Sequence, residues 1–84
     1  MNRTKRIKDI IEKNFNDFNI LVTDDSLAHK YHNNFDGMEE THIIIELKKK
    51  FNLDIKRLEI HKKINTLLSE EFQIGLHALQ IKIT

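Results

Sequence analysis

Apolar residues recur along this chain at two different periods, and the switch between them marks out its elements. Ile7, Ile10, Ile11, Phe15 and Phe18 are spaced by three or four, which places them on one stripe of a helix. Thr4 can cap that helix by accepting an orphan backbone N–H, and Asn14, Asn16 and Asn19 weaken its exit, so the pattern predicts a helix over about residues 4–15. The period then becomes two. Residues 19–24 read as a short strand with Ile20 and Val22 on one face and Leu21 and Thr23 on the other. Residues 41–47 read as a second strand, in which Ile43, Ile45 and Leu47 oppose His42, Ile44 and Glu46. A connector over 48–52 leads to a second helix with Asp54 as its cap. Its stripe is Ile60, Ile64, Leu67, Leu68 and Phe72, with Leu58 and His61 at the margins and Gly75 as its left-handed stop. Residues 76–84 close the chain as a third strand, with His77, Leu79, Ile81 and Ile83 alternating against Ala78, Gln80 and Lys82.

The order is α-β-β-α-β, an α+β domain. Strands one and two are expected to pair antiparallel, and the helical crossover makes strands two and three parallel and right-handed. Both helices need a surface for their stripes, and the Ile20/Ile43/Leu79 face of this three-stranded mixed sheet is the one that offers it. No internal repeat or second domain interrupts residues 1–84, so a single domain is expected. Residues 25–40 follow neither period. A loop of that length is functional or mobile in a compact domain, and residues 27–39 are expected to be mobile.

Composition narrows the function classes. Without cysteine there is no disulfide scaffold, no thiolate zinc site and no Cys nucleophile. Two glycines and no proline argue against a phosphate-cradling glycine loop. Apolar runs such as 43–45 are far too short to span a bilayer, so no membrane partner is expected. The net charge of +1 hides an uneven distribution. Residues 1–8 carry Arg3, Lys5, Arg6 and Lys8 with no acid, and residues 9–46 hold nine acidic side chains against two lysines. Residues 47–63 hold seven basic side chains against two acidic. The basic start is followed at once by Asp9 and Glu12, which fits a helix better than a mitochondrial presequence. The cytoplasm is the expected compartment, with the mitochondrion as the alternative.

No set of residues assembles a nucleophile, an acid and a base, and no enzyme is expected. Ser26 and Ser69 lack a base with an orienting group. Asp24 and Asp25 read as a strand end and turn cap, and Glu70 and Glu71 as solvated helix surface. Five histidines in 84 residues are the unusual feature. His77 sits on the apolar face of the last strand, where position alone makes it a rim residue before it makes it a ligand. His29 and His32 lie three apart in the long loop and could converge on one ion. His42 and His61 read as structural.

Taken in series, Asp24-Asp25-Ser26-Leu27-Ala28-His29, Glu40-Thr41-His42, Phe51, His61-Lys62 and Gly75-Leu76-His77-Ala78-Leu79 resemble the BolA family over nearly the whole chain. His-Ala-Leu after a helix ending in Leu68-Ser69-Glu70-Glu71 is the most specific part of the likeness. The resemblance implies a domain similar to the class II KH fold. It also implies a heterodimer with a monothiol glutaredoxin that shares a bridged [2Fe-2S] cluster, in iron–sulfur cluster assembly, trafficking or iron regulation. His77 and the loop His29 would be the ligands from this chain, with His32 as the fallback for His29. The isolated chain would then be a monomer without a cofactor of its own. The chain departs from the family where Arg-His-Arg is usual, since Ile60-His61-Lys62 lacks the guanidinium fork. The alternative function is a nucleic-acid-binding transcriptional regulator, a role also attributed to BolA-like proteins. DNA would then meet Lys48, Lys49, Lys50, Lys56, Arg57, Lys62 and Lys63, although the chain has no Gly-x-x-Gly clamp. A plain interaction module with structural histidines is the third reading.

Overall fold

A helix with one apolar stripe needs a sheet beneath it, and the chain builds both from neighbouring segments. In a computed structural model that describes residues 2–25 and 41–84, helix α1 spans Arg3–Asn14. Its cap is Asn2 rather than Thr4. Asn2 is extended at φ −82° and ψ 171°, and its side chain accepts the Lys5 N–H at 2.9 Å. Thr4 already has helical geometry, so its hydroxyl cannot serve the first turn. Phe18, expected at the end of the helical stripe, instead opens strand β1 (Phe18–Asp24) after a tight turn. Its ring still meets that of Phe15 edge to face, with centroids 6.1 Å apart.

Strand β1 pairs antiparallel with β2 (His42–Lys49), from Phe18 opposite Lys49 to Asp24 opposite Ile43. Strand β2 pairs parallel with β3 (Ala78–Ile83), from His42 opposite Ala78 to Leu47 opposite Ile83. The order is β1-β2-β3, a three-stranded mixed sheet as predicted. Lys48 and Lys49 extend β2 beyond its expected end, because the Lys49 N–H finds the Thr84 carbonyl at 3.0 Å.

The predicted second helix is two helices, α2 (Arg57–Leu67) and α3 (Ser69–Gln73). Asp54 does not cap α2. The helix opens after an extended Lys56 with no side-chain cap, while Leu53 and Ile55 pack against the core. Burial of those two side chains holds residues 53–55 away from helical geometry. Leu68 breaks the helix at φ −101° and ψ 13°, in the bridge region. The break re-aims the chain. Ile64 and Leu68 are fully buried, whereas Phe72, expected in the stripe, is left on the surface. Gly75 follows α3 at φ +128°, fulfilling its expected role as the stop. A Cβ at Gly75 would lie 3.1 Å from Arg3 Nη2, so Gly75→Ala should cost about 1–3 kcal/mol in urea denaturation.

The core joins Ile7 and Ile11 of α1 and Phe15 at its C-cap to Ile64, Leu68 and Leu76, over Phe18, Ile43, Ile45, Leu47 and Ile83 of the sheet. Ile45, on the central strand, has no exposure, whereas Leu79 on the edge strand β3 is half-buried. Ile45→Ala should therefore cost about 2–5 kcal/mol, and Leu79→Ala clearly less. Equal losses for the two in chemical denaturation would contradict the central position of β2. No helix among the described residues is long and apolar enough to cross a membrane. The mobility expected of residues 27–39 falls outside the described residues.

Candidate metal centre

Antiparallel β1–β2 and parallel β2–β3 pairing bring three strand termini to one end of the sheet: the end of β1 and the starts of β2 and β3. The segment 26–40 leaves and returns at that end. Asp25 N–H donates to the His42 carbonyl at 2.7 Å, and the buried Thr41 carbonyl accepts N–H groups from His77 at 2.8 Å and Ala78 at 3.1 Å. His77 is therefore fixed by its backbone beside both ends of the loop. His29 and His32 themselves lie outside the described residues.

The His77 side chain is not on the apolar face of the last strand. The residue precedes β3, its N–H donates to the Thr41 carbonyl, and its imidazole is exposed. Its ring stands nearly perpendicular to that of His42, with centroids 6.1 Å apart and an interplanar angle of 81°. His42 Nδ1 and the Thr41 hydroxyl are hydrogen-bonded at 2.9 Å. His42, which the sequence suggests is structural, thus belongs to the His77 end of the sheet. The signal was present in the strand order, since parallel pairing of Ile43 with Leu79 sets His42 opposite Ala78, one residue from His77. His61 is half-buried on α2.

Among the described residues, no three His, Asp or Glu side chains come together to hold an ion. The His77 imidazole is exposed, and its backbone is held by the Thr41 carbonyl. The adjoining notch, of about 180 Å³, is lined by Asp25, His42, Ile43, Ile44, Ala78, Leu79 and Gln80. It is smaller than the roughly 300–1,000 Å³ of small-molecule sites.

Electrostatics tie this end to the first helix. Glu71, expected as solvated surface, is only 5% exposed. Arg6 reaches it twice, Nε to Oε2 and Nη2 to Oε1, each at 2.9 Å, and Arg3 Nε donates to Oε1 at 2.9 Å. These hydrogen bonds, those from Arg6 foremost, hold the Glu71 carboxyl below the usual carboxylate range against the opposing effect of burial. The basic start of the chain and the glutamate of Leu68-Ser69-Glu70-Glu71 were each visible in the sequence, but their meeting was not. Helix α3 turns Glu71 inward only because of the break at Leu68.

The seven cations of the nucleic-acid alternative lie elsewhere. Lys48 lies near the far end of β2 and Lys50 just past it, roughly 20–26 Å from His42 at a strand rise of about 3.3 Å per residue. Lys48, Lys50, Lys56 and Lys62 are exposed and Lys49 is half-buried. Arg57 Nη1 donates to the Ile83 carbonyl at 2.8 Å, and Lys63 Nζ lies 5.2 Å from the Phe15 ring centroid. Two of the seven are thus engaged by the fold itself.

Known proteins resemble this chain in sequence and fold. A family model described as BolA-like protein matches residues 11–84. "Protein BOLA1, chloroplastic" of Arabidopsis thaliana is 29% identical over 95% of this chain, which spans about half (51%) of that protein's length. "UV-induced protein uvi31" of Schizosaccharomyces pombe is 32% identical, covering 96% of this chain and 82% of the relative. Among solved structures, the BolA domain of SufE1 from Arabidopsis thaliana superposes with a TM-score of 0.79 at 28% identity, covering all of this chain and 92% of the other. BolA1 from the same plant gives a TM-score of 0.77 at 27% identity with the same coverage. With the motif series, the strand order and the family match in agreement, this chain belongs to the BolA-like family.

Proposed function

We propose that this BolA-like chain is a non-enzymatic partner of a monothiol glutaredoxin, with which it shares a bridged [2Fe-2S] cluster in iron–sulfur assembly, trafficking or iron regulation. One observation carries the proposal. The exposed His77 is anchored through its backbone at the sheet end from which the loop bearing His29 and His32 departs and to which it returns. His77 and His29 would supply imidazoles from this chain, with His32 standing in for His29, and the partner would supply thiolates. Imidazole in place of thiolate on one iron raises the reduction potential of such a cluster and makes its hold sensitive to protonation. The cluster is then cargo held between two chains.

The experiment is reconstitution. The chain is mixed without oxygen with a monothiol glutaredoxin, ferric iron and sulfide, and the purified complex is read by absorption and circular dichroism. A one-to-one complex with bands distinct from those of the glutaredoxin alone is expected. No complex, or an unaltered glutaredoxin spectrum, would refute the proposal. A shift of duplex DNA that weakens with salt and is lost on charge reversal at residues 48–50 would favour the nucleic-acid alternative instead.

A further inference from the structure

We propose that Arg3 is a positioning residue for His77, fixing through one guanidinium the turn that carries it. Arg3 has this role toward the cluster only if His77 is a ligand, as proposed above. The His77 imidazole is exposed, so its place is set by the backbone on either side rather than by packing. On the C-terminal side the Thr41 carbonyl holds the N–H groups of His77 and Ala78. On the N-terminal side stand Ile74, 60% exposed, and Gly75, at φ +128° and without a side chain. Neither can anchor itself in the core.

Arg3 provides the tie from the first turn of α1. Its Nε donates to Glu71 Oε1 and its Nη2 to the Ile74 carbonyl, both at 2.9 Å, so one planar group spans the turn from α3 to its exit. The turn also lies directly on that group, since a Cβ at Gly75 would stand 3.1 Å from Nη2. Beyond the turn, Leu76 N–H donates to the Glu71 carbonyl at 2.8 Å, and the Leu76 side chain is buried. His77 comes next. Arg6 meets the same carboxylate and is more exposed, 36% against 9% at the side chain, while the bond to the Ile74 carbonyl is made by Arg3. The device belongs to the N-terminal turn of this chain.

Arg3→Lys and Arg6→Lys each keep a cation beside Glu71 and lose the planar fork. In the full isolated chain, amide exchange at Leu76 and His77 should be faster in Arg3→Lys than in Arg6→Lys by about tenfold, after correction for global stability. In the reconstituted complex with a monothiol glutaredoxin, cluster lifetime against a chelator should shorten in Arg3→Lys and hold in Arg6→Lys. If Arg3→Lys fails to fold, Gly75→Ala disturbs the same contact from the other side and should accelerate the same two amides. Equal behaviour of the two Lys variants in both measurements would make Arg3 a brace of the fold only, and would overturn the inference while the glutaredoxin reading stands. A shifted exchange rate together with an unsubstituted chain that binds no cluster would refute the ligand reading, and the positioning role with it.

Discussion

Glu71→Gln should lower stability by about 3 kcal/mol at neutral pH and by almost nothing in acid. The carboxylate is nearly buried and accepts charge-assisted hydrogen bonds from Arg6 and Arg3. Removing one partner of such a pair strands charge, at a cost of about 3–5 kcal/mol. The low end applies here because Arg6, with 36% of its side chain exposed, can rehydrate, whereas Arg3 at 9% cannot. The pH dependence follows from the direction of the shift. Folding lowers the Glu71 pKa, chiefly through the Arg6 hydrogen bonds, so the native state binds its proton less readily than the unfolded chain. Its stabilising contribution is fully present above the unfolded value of about 4.3 and disappears as pH falls through the lower folded value. Urea denaturation of both proteins across that range should show the two curves converging in acid. A gap that stays constant with pH would mean that the ion pairs are not the source of the stability.

His77→Ala should have the opposite profile, leaving the fold intact and removing the cluster. The side chain is exposed, and both hydrogen bonds at this position go to Thr41 from backbone N–H groups that alanine retains. Stability should therefore change by no more than about 0.5 kcal/mol, as for surface substitutions elsewhere. If the imidazole is a ligand, the bridged spectrum of the glutaredoxin complex should vanish. His29→Ala should weaken or alter it, and a second change at His32 should weaken it further. Thermal denaturation beside visible circular dichroism of each complex separates the two effects. An unchanged cluster spectrum in His77→Ala would remove this residue from the ligand set.

Much of the fold could be read from periodicity. Ile43, Ile45 and Leu47 announced the central strand, and the helical crossover announced its parallel pairing with β3. What periodicity missed were competitions between local and tertiary preferences. Asp54 is a good cap in isolation, but Leu53 and Ile55 gain more by burial. Leu68 continues a helical stripe on paper, yet the chain bends there and presents Glu71 instead of Phe72 to the interior. At the candidate centre, His77 stood out through its motif. Its exposure did not, because alternation counts residue 77 into the strand, whereas β3 begins at Ala78 and His77 precedes it. The ion pairs of Arg3 and Arg6 with Glu71 span 68 and 65 residues, and no local pattern encodes a contact of that range. His42 needed the register of two strands before its closeness to His77 could be seen.

As proposed, imidazoles of this chain would bind iron in the shared cluster. Pulsed electron paramagnetic resonance of the reduced complex tests this most directly, with heavy-nitrogen histidine incorporated into this chain alone and the glutaredoxin left unlabelled. Histidine nitrogen bound to iron gives hyperfine couplings that change with the isotope, and those couplings should disappear with the cluster signal in His77→Ala. A reduced cluster whose spectrum is indifferent to the label would mean that its ligands come from elsewhere, and would contradict the account.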